Sequence, residues 1–308
     1  MSVRVPAGLA HLPDKDETWQ PWLASLPRAV AGLLADWELT VDGAPAHGQC
    51  SLVVPVLRRD GVPGALKVTW PHREAEHEHL ALQHWHGDGA VELFRADPRR
   101  WALLLERAGS RDASGLTDVE ACALVGRLLA RVHRPAPPQL VRLSEVVADW
   151  AARLLALPRD APVPRRLVEH AASLGVDLSV DPGTDGTLLH TDAHYANVLA
   201  AEREPWLLID PKPLCGDPHY EPAPLLWNRW AEVVADPAGA RVRVRRRLEA
   251  AADALGLDWD RARAWVVVRE MCEALWLVEA AVGAGRSLTP QDSAELTRAV
   301  TIAKAVQD

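Results

Sequence analysis

The sequence predicts an α+β fold in two lobes. A small mixed lobe of sheet and helix spans residues 1–106, and a larger, mostly helical lobe spans residues 107–308. Three observations point to it. Short apolar strand candidates bounded by turn residues crowd the first third of the chain. Helical periodicity dominates after Thr117, and one compact stretch of strands and loops, Thr187 to Pro218, interrupts it.

The elements follow in order. Trp19 to Trp37 carries Trp22, Leu23, Leu26, Val30, Leu33 and Leu34 at helical spacing. Cys50 to Arg58 reads as a strand in which Pro55 favours an edge or a bulge, because proline cannot donate to a ladder. Asp60-Gly61 is a turn, and Ala65 to Trp70 returns as a second strand. Glu74 to Trp85 has a helical pattern with Leu80 and Leu82 on its apolar side. Val91 to Ala96 and Trp101 to Leu105 are two further strands across an Asp97-Pro98 turn. Beyond Gly109, Thr117-Asp-Val-Glu120 is a capping box that opens a helix with Cys122, Val125, Leu128, Leu129 and Val132 on one stripe. The prolines after His133 stop it. Ser144 to Leu157 and Arg165 to Leu174 are helices, and Leu225 to Val306 is mostly helical.

Composition narrows the function. With 25% charged and 48% hydrophobic residues and a formal net charge of -8, the chain reads as an ordinary globular protein. Such a balance argues against a nucleic-acid partner, which calls for a clustered basic surface, and is compatible with a cationic small substrate. The basic run Arg241, Arg243, Arg245-Arg246-Arg247 leads into a helix-favouring stretch and reads as a solvated helix face. Cys50, Cys122, Cys215 and Cys272 are scattered, with no CxxC pair, so a reducing cytoplasm is the expected setting. The N-terminus lacks a signal peptide's apolar core, and no apolar run approaches the roughly 20 residues needed to span a bilayer.

The densest polar cluster is His190-Thr-Asp192-Ala-His194-Tyr-Ala-Asn197, followed by the apolar Leu208-Ile209 ending in Asp210. Phosphoryl transfer needs a carboxylate beside the acceptor hydroxyl and oxygen ligands that hold magnesium against ATP phosphates. Asp192, Asn197 and Asp210 supply those parts at suitable spacing. Lys67 lies inside the apolar Ala65-Leu-Lys-Val strand, where a lysine is costly unless paired. Glu74, Glu76 and Glu78 follow on the next helix. A metal-dependent hydrolase is a rival reading of His190-x-Asp192-x-His194, but it explains neither Lys67 nor Asn197. A non-catalytic binding protein would have no use for the complete set. A protein kinase would need a long activation segment after Asp210, and Gly216-Asp-Pro arrives almost at once.

His190-x-Asp192-x-x-x-x-Asn197 with Ile209-Asp210-Pro211 resembles the motif of aminoglycoside phosphotransferases. Ile209 to Pro213 and Gly216 to Arg229 are similar to the narrower streptomycin and hydroxyurea resistance kinases. The resemblance runs from about Gly48 to Arg229. It implies a protein-kinase-like two-lobed fold and an ATP-dependent transfer to a hydroxyl of a small molecule. The acceptor would be an aminoglycoside such as streptomycin or a related secondary metabolite, with hydroxyurea or an endogenous metabolite as the alternative. Asp192 would be the base, Asn197 and Asp210 the magnesium ligands, His190 a structural member of the loop, and Asp217 its brace. Lys67 would hold the ATP phosphates and Glu78, selected by the family pattern, would pair with it. Ser51 in the Gly48-Gln-Cys-Ser51 turn would cover the phosphates, and Glu106-Arg107 would form the hinge that reads adenine through backbone groups. Thr191 stands where glycine is common and Glu221 where aspartate is common. Trp227, Glu232, Glu270, Glu273 and Trp276 are candidates for the acceptor pocket, although for either tryptophan alone a core position is the better reading.

Overall fold

A computed structural model describes residues 3–236 and 238–307. The chain divides into two compact units. One runs through Ser110 and includes Ala200–Leu207, and the other comprises Arg111–Leu199 and the chain from Leu208 on.

The first unit begins with α1 (Ala7–Ala10) and α2 (Trp19–Asp36), then strands β1 (Thr40–Val41), β2 (Ala46–His47), β3 (Ser51–Leu57) and β4 (Pro63–Thr69). Helix α3 (Glu78–Trp85) and strands β5 (Leu93–Asp97) and β6 (Ala102–Glu106) complete it. The sheet is antiparallel, in the order β1-β3-β4-β6-β5, with β2 also pairing β3. Leu23, Leu26, Val30 and Leu33 of α2 lie at helical spacing and pack on Leu52, Val54, Val56, Leu66 and Val68 of the sheet. Each such buried aliphatic side chain contributes about 1.5–3 kcal/mol.

Two local expectations change. Pro55 is not at an edge or bulge: β3 runs between β4 on one side and β1 and β2 on the other. Its carbonyl accepts from Asp42 N at 2.8 Å, so its missing N–H falls on that same side, between the β1 and β2 pairings, where no ladder bond is needed. The helix expected from Glu74 starts only at Glu78, after a short 3-10 turn at Arg73–Ala75. Its buried stripe is Glu78, Ala81, Leu82 and Trp85, and Leu80 is half-buried.

The second unit opens with α4 (Asp118–Val132), capped by the Thr117/Glu120 box with both reciprocal bonds made. Strand β7 (Arg134–Pro135), α5 (Leu143–Ala156) and α6 (Arg165–Val180) follow, the last extending past the expected Leu174. Then come β8 (Thr187–Leu189), β9 (Val198–Leu199), β10 (Leu207–Leu208) and β11 (Leu214–Gly216). The helices α7 (Ala223–Leu226), α8 (Trp230–Ala235), α9 (Ala240–Leu255), α10 (Trp259–Gly283) and α11 (Pro290–Val306) close the chain. A core of residues from α5, α6, α7, α9, α10 and α11 fills this unit. Among the described residues, no helix is long and apolar enough to cross a membrane.

The basic run on α9 is only in part a solvated face: Arg241 and Arg246 are exposed, but Arg243 and Arg247 turn inward. Arg247 is fully buried and binds Asp118 Oδ2 through Nε at 2.9 Å, while Arg243 Nε reaches the same oxygen at 2.6 Å. Arg229 binds Asp118 Oδ1. Burial alone would raise the Asp118 pKa, but bonds from Arg243, Arg247 and Arg229 outweigh it and hold the carboxyl below the usual range. Helix periodicity places Arg243 and Arg247 on one face, four residues apart, and that face meets α4.

Candidate active site

In the first unit, Lys67 sits mid-sheet, opposite Val53 on β3 and Leu103 on β6. Its Nζ donates to both Glu78 oxygens, at 2.6 and 2.7 Å, and both side chains are almost wholly buried. Glu74 and Glu76 are exposed, so the structure pairs the lysine with the first residue of α3. Ser51 is buried at the start of β3, after a turn closed by Gly48 N donating to Ser51 O at 2.9 Å. A Cβ on Gly48 would come within 3.0 Å of Ser51 Oγ, which gives glycine a steric reason there. Glu106 accepts from Arg203 and from Glu92 N, and Arg107 binds Asp42 Oδ2 at 2.7 Å. These two side chains are thus committed to the protein itself.

In the second unit, β8 delivers the chain to the His190–Asn197 loop from a buried position between β11 and β7. Thr191 adopts φ 61°, a left-handed conformation unusual for a β-branched residue. Two interactions hold it there. Glu221, fully buried, accepts from His190 N at 2.6 Å and Thr191 N at 2.8 Å, and Thr191 Oγ1 donates to Lys212 O at 2.6 Å. Glu221 is therefore the brace of this loop. Asp217, expected in that role, instead accepts from His219 in its own turn and from Arg261 and Trp265 of α10. The longer glutamate four residues later reaches the loop backbone, and the aspartate anchors the helix.

His190 is buried, with Nδ1 accepting from Asp192 N at 3.3 Å and Nε2 at 2.9 Å from Ile209 O. That geometry suits a neutral imidazole carrying its proton on Nε2. Burial pushes its pKa below the ordinary value, against the pull of Glu221 and Asp192. With both nitrogens engaged, His190 is a structural member of the loop and a poor metal ligand. Among the described residues, no group of three or more His, Cys, Asp or Glu is arranged to hold a metal by itself.

Asn197 Nδ2 donates to Asp192 O at 2.8 Å and lies 3.3 Å from Asp192 Oδ2. The amide nitrogen is thereby committed, which leaves the carboxamide oxygen as the atom suited to a cation. Ile209 N donates to Asn197 O, and Lys212 N to His190 O, both at 2.9 Å, so residues 209–212 run beside the loop. Asp210 lies between them at φ 56°, and strain of this kind concentrates at functional sites. A carboxamide oxygen and a carboxylate are hard donors fitting magnesium, which takes only a few protein ligands and completes its shell with phosphate and water oxygens. Sequence reasoning gave no role to Lys212, Glu221 or Arg203. The first two lie within quoted motifs, and Arg203 has no local signal.

The acceptor-pocket candidates separate. Glu232 joins Arg243, at 2.8 Å, in the arginine cluster. Trp227 and Trp276 are half-buried, and with Tyr220 they surround the Arg269 guanidinium at 4.8–5.9 Å from the ring centroids. Arg269 also pairs with Glu273 at 3.2 Å. Glu270 is fully buried and accepts from Trp227 Nε1 at 2.6 Å through Oε1, while Oε2 has no hydrogen-bond partner among the described residues. Burial pushes its pKa well above the ordinary value.

A family model described as aminoglycoside/hydroxyurea antibiotic resistance kinase matches residues 36–281. The chain is 44% identical over 269 residues to a streptomycin 6-kinase of Streptomyces glaucescens, covering 85% of this chain and 86% of that one. It is 40% identical to a hydroxyurea phosphotransferase of Kitasatospora aureofaciens, covering 90% and 81%. Among solved structures, a choline/ethanolamine kinase family protein from Mesorhizobium loti is similar in fold, with TM-score 0.60 at 16% identity, covering 93% and 94%.

Proposed function

The chain belongs to the aminoglycoside/hydroxyurea antibiotic resistance kinase family, and on that premise we propose that it moves the terminal phosphoryl group of ATP onto a hydroxyl of a small antibiotic. It is a small-molecule kinase of protein-kinase-like fold. Streptomycin is the first acceptor to test and hydroxyurea the second, since relatives of similar identity carry each name. The acidic charge balance favours the cationic acceptor.

In this reading Asp192 accepts the acceptor hydroxyl's proton as its oxygen bonds to phosphorus and the bond to the ADP oxygen breaks. Asn197 and Asp210 would hold magnesium, which neutralises charge on the phosphate oxygens when bound. Lys67, fixed by Glu78, binds phosphate oxygens, and the turn carrying Ser51 covers them. The Glu106 and Arg107 side chains are occupied, so reading of adenine falls to backbone groups of that segment. The observation that carries the reading is the Asp192–Asn197 arrangement, a carboxylate only slightly exposed and an amide bonded to it within one loop.

The experiment is single-turnover transfer to streptomycin and to hydroxyurea beside nucleotide binding by calorimetry. Asp192→Asn is expected to slow transfer about 10²–10⁴-fold, the usual contribution of a positioned base, with nucleotide affinity nearly unchanged. Transfer at close to the wild-type rate would overturn the assignment.

A further inference from the structure

The nearest polar contacts of the Asp192 carboxylate among the described residues fall on one oxygen. Lys212 Nζ lies 2.9 Å from Oδ2, Asn197 Nδ2 3.3 Å and His194 Nε2 4.0 Å. No hydrogen bond reaches Oδ1 from the described residues. Of the three contacts, the lysine's is the shortest, and it is an ion pair between two formal charges.

Lys212 is also held more firmly than a surface lysine. Pro211 and Pro213 flank it and restrict the backbone on both sides. Its N–H donates to His190 O and its carbonyl accepts from Thr191 Oγ1. The ammonium is therefore presented from a backbone tied to the residues immediately before Asp192. An exposed ion pair between two mobile side chains is worth little, but here the Asp192 side chain is 11% exposed and its partner's backbone is pinned.

We propose that Lys212 is a positioning residue for the transfer: it fixes the Asp192 carboxylate through Oδ2 and turns Oδ1 to the acceptor hydroxyl. The inference rests on Asp192 being the base. Misplacing a reacting group by about 1 Å costs on the order of 10² in rate, which sets the expected effect.

The test compares wild type, Lys212→Met, Lys212→Arg, Asp192→Asn and the double variant Asp192→Asn/Lys212→Met. It reads single-turnover transfer to streptomycin, or to hydroxyurea if that is the acceptor used, and nucleotide affinity by calorimetry. Lys212→Met should slow transfer about 10²-fold with nucleotide affinity unchanged, and Lys212→Arg should recover part of the rate. The double variant should be no slower than Asp192→Asn alone, because the lysine acts through the carboxylate. Equal slowing by Lys212→Met in both backgrounds would overturn the proposal, as would a wild-type rate or a failure to fold. A near-normal Asp192→Asn would instead defeat the base assignment. A crystal structure of Lys212→Met decides the matter without any acceptor: the carboxylate should leave its position, and one that stays within about 0.5 Å overturns the proposal.

Discussion

Lys67 and Glu78 offer a way to separate stability from function. Their side chains are 6% and 4% exposed and meet at 2.6–2.7 Å through both carboxylate oxygens, so solvent screens the pair little. Removing one partner of such a pair costs about 3–5 kcal/mol, because the remaining charge stays buried. That is a large share of the roughly 5–15 kcal/mol by which a folded domain is stable. Glu78→Ala should therefore lower the urea midpoint markedly. Lys67→Met/Glu78→Leu removes both charges and keeps the volume, and replacements of this kind are neutral or stabilising by about 1–4 kcal/mol. The double variant should thus regain the midpoint lost by Glu78→Ala while remaining defective in transfer. Urea titration followed by tryptophan fluorescence, with Trp85 buried on α3 as a reporter in the same unit, measures the first effect. Single-turnover transfer measures the second. A double variant as unstable as Glu78→Ala would refute the charge argument. One that transfers at the wild-type rate would refute a phosphate-binding role for Lys67.

Three further outcomes are expected. Asp118→Ala strips the fully buried Arg247 of its carboxylate and should cost about 3–5 kcal/mol, measured by urea unfolding, whereas Arg246→Ala, on the exposed side of α9, should be nearly silent. Glu270 has a folded pKa raised by burial, so its contribution to stability is complete below the ordinary value of 4.5 and is lost as pH rises toward the folded pKa. Glu270→Gln should accordingly raise Tm at pH 8 and change it little at pH 4; equal shifts at both would contradict this. Thr191→Val keeps the left-handed φ and loses the hydroxyl bond to Lys212 O, costing about 1–3 kcal/mol. Thr191→Gly loses that bond but also relieves about 1–3 kcal/mol of backbone strain, so thermal melting should show it to be the milder change.

Local signals in the sequence determined a good deal. The Thr117/Glu120 box and its apolar stripe specify α4, because the capping contacts and the periodicity both lie within a few residues of chain. The same holds for Lys67 in its apolar strand and for the spacing of Asp192 and Asn197, whose mutual bonds span five residues. Tertiary structure decided the pairings that join distant segments. Nothing local distinguishes Arg247 from Arg246, yet one is buried on Asp118 and the other exposed, because α4 covers only one face of α9. Asp217 and Glu221 are both acids near one turn, and only their placement shows that Glu221 reaches the 190–191 backbone while Asp217 turns to α10. Lys212 reads as part of a proline-flanked motif, and its contact with Asp192 exists only because residues 209–212 are laid beside the loop. The return of Ala200–Leu207 to the first unit, with Arg203 on Glu106, has no local signal. A side chain's type and spacing are written in the chain, but its direction and its partner follow from how the elements pack.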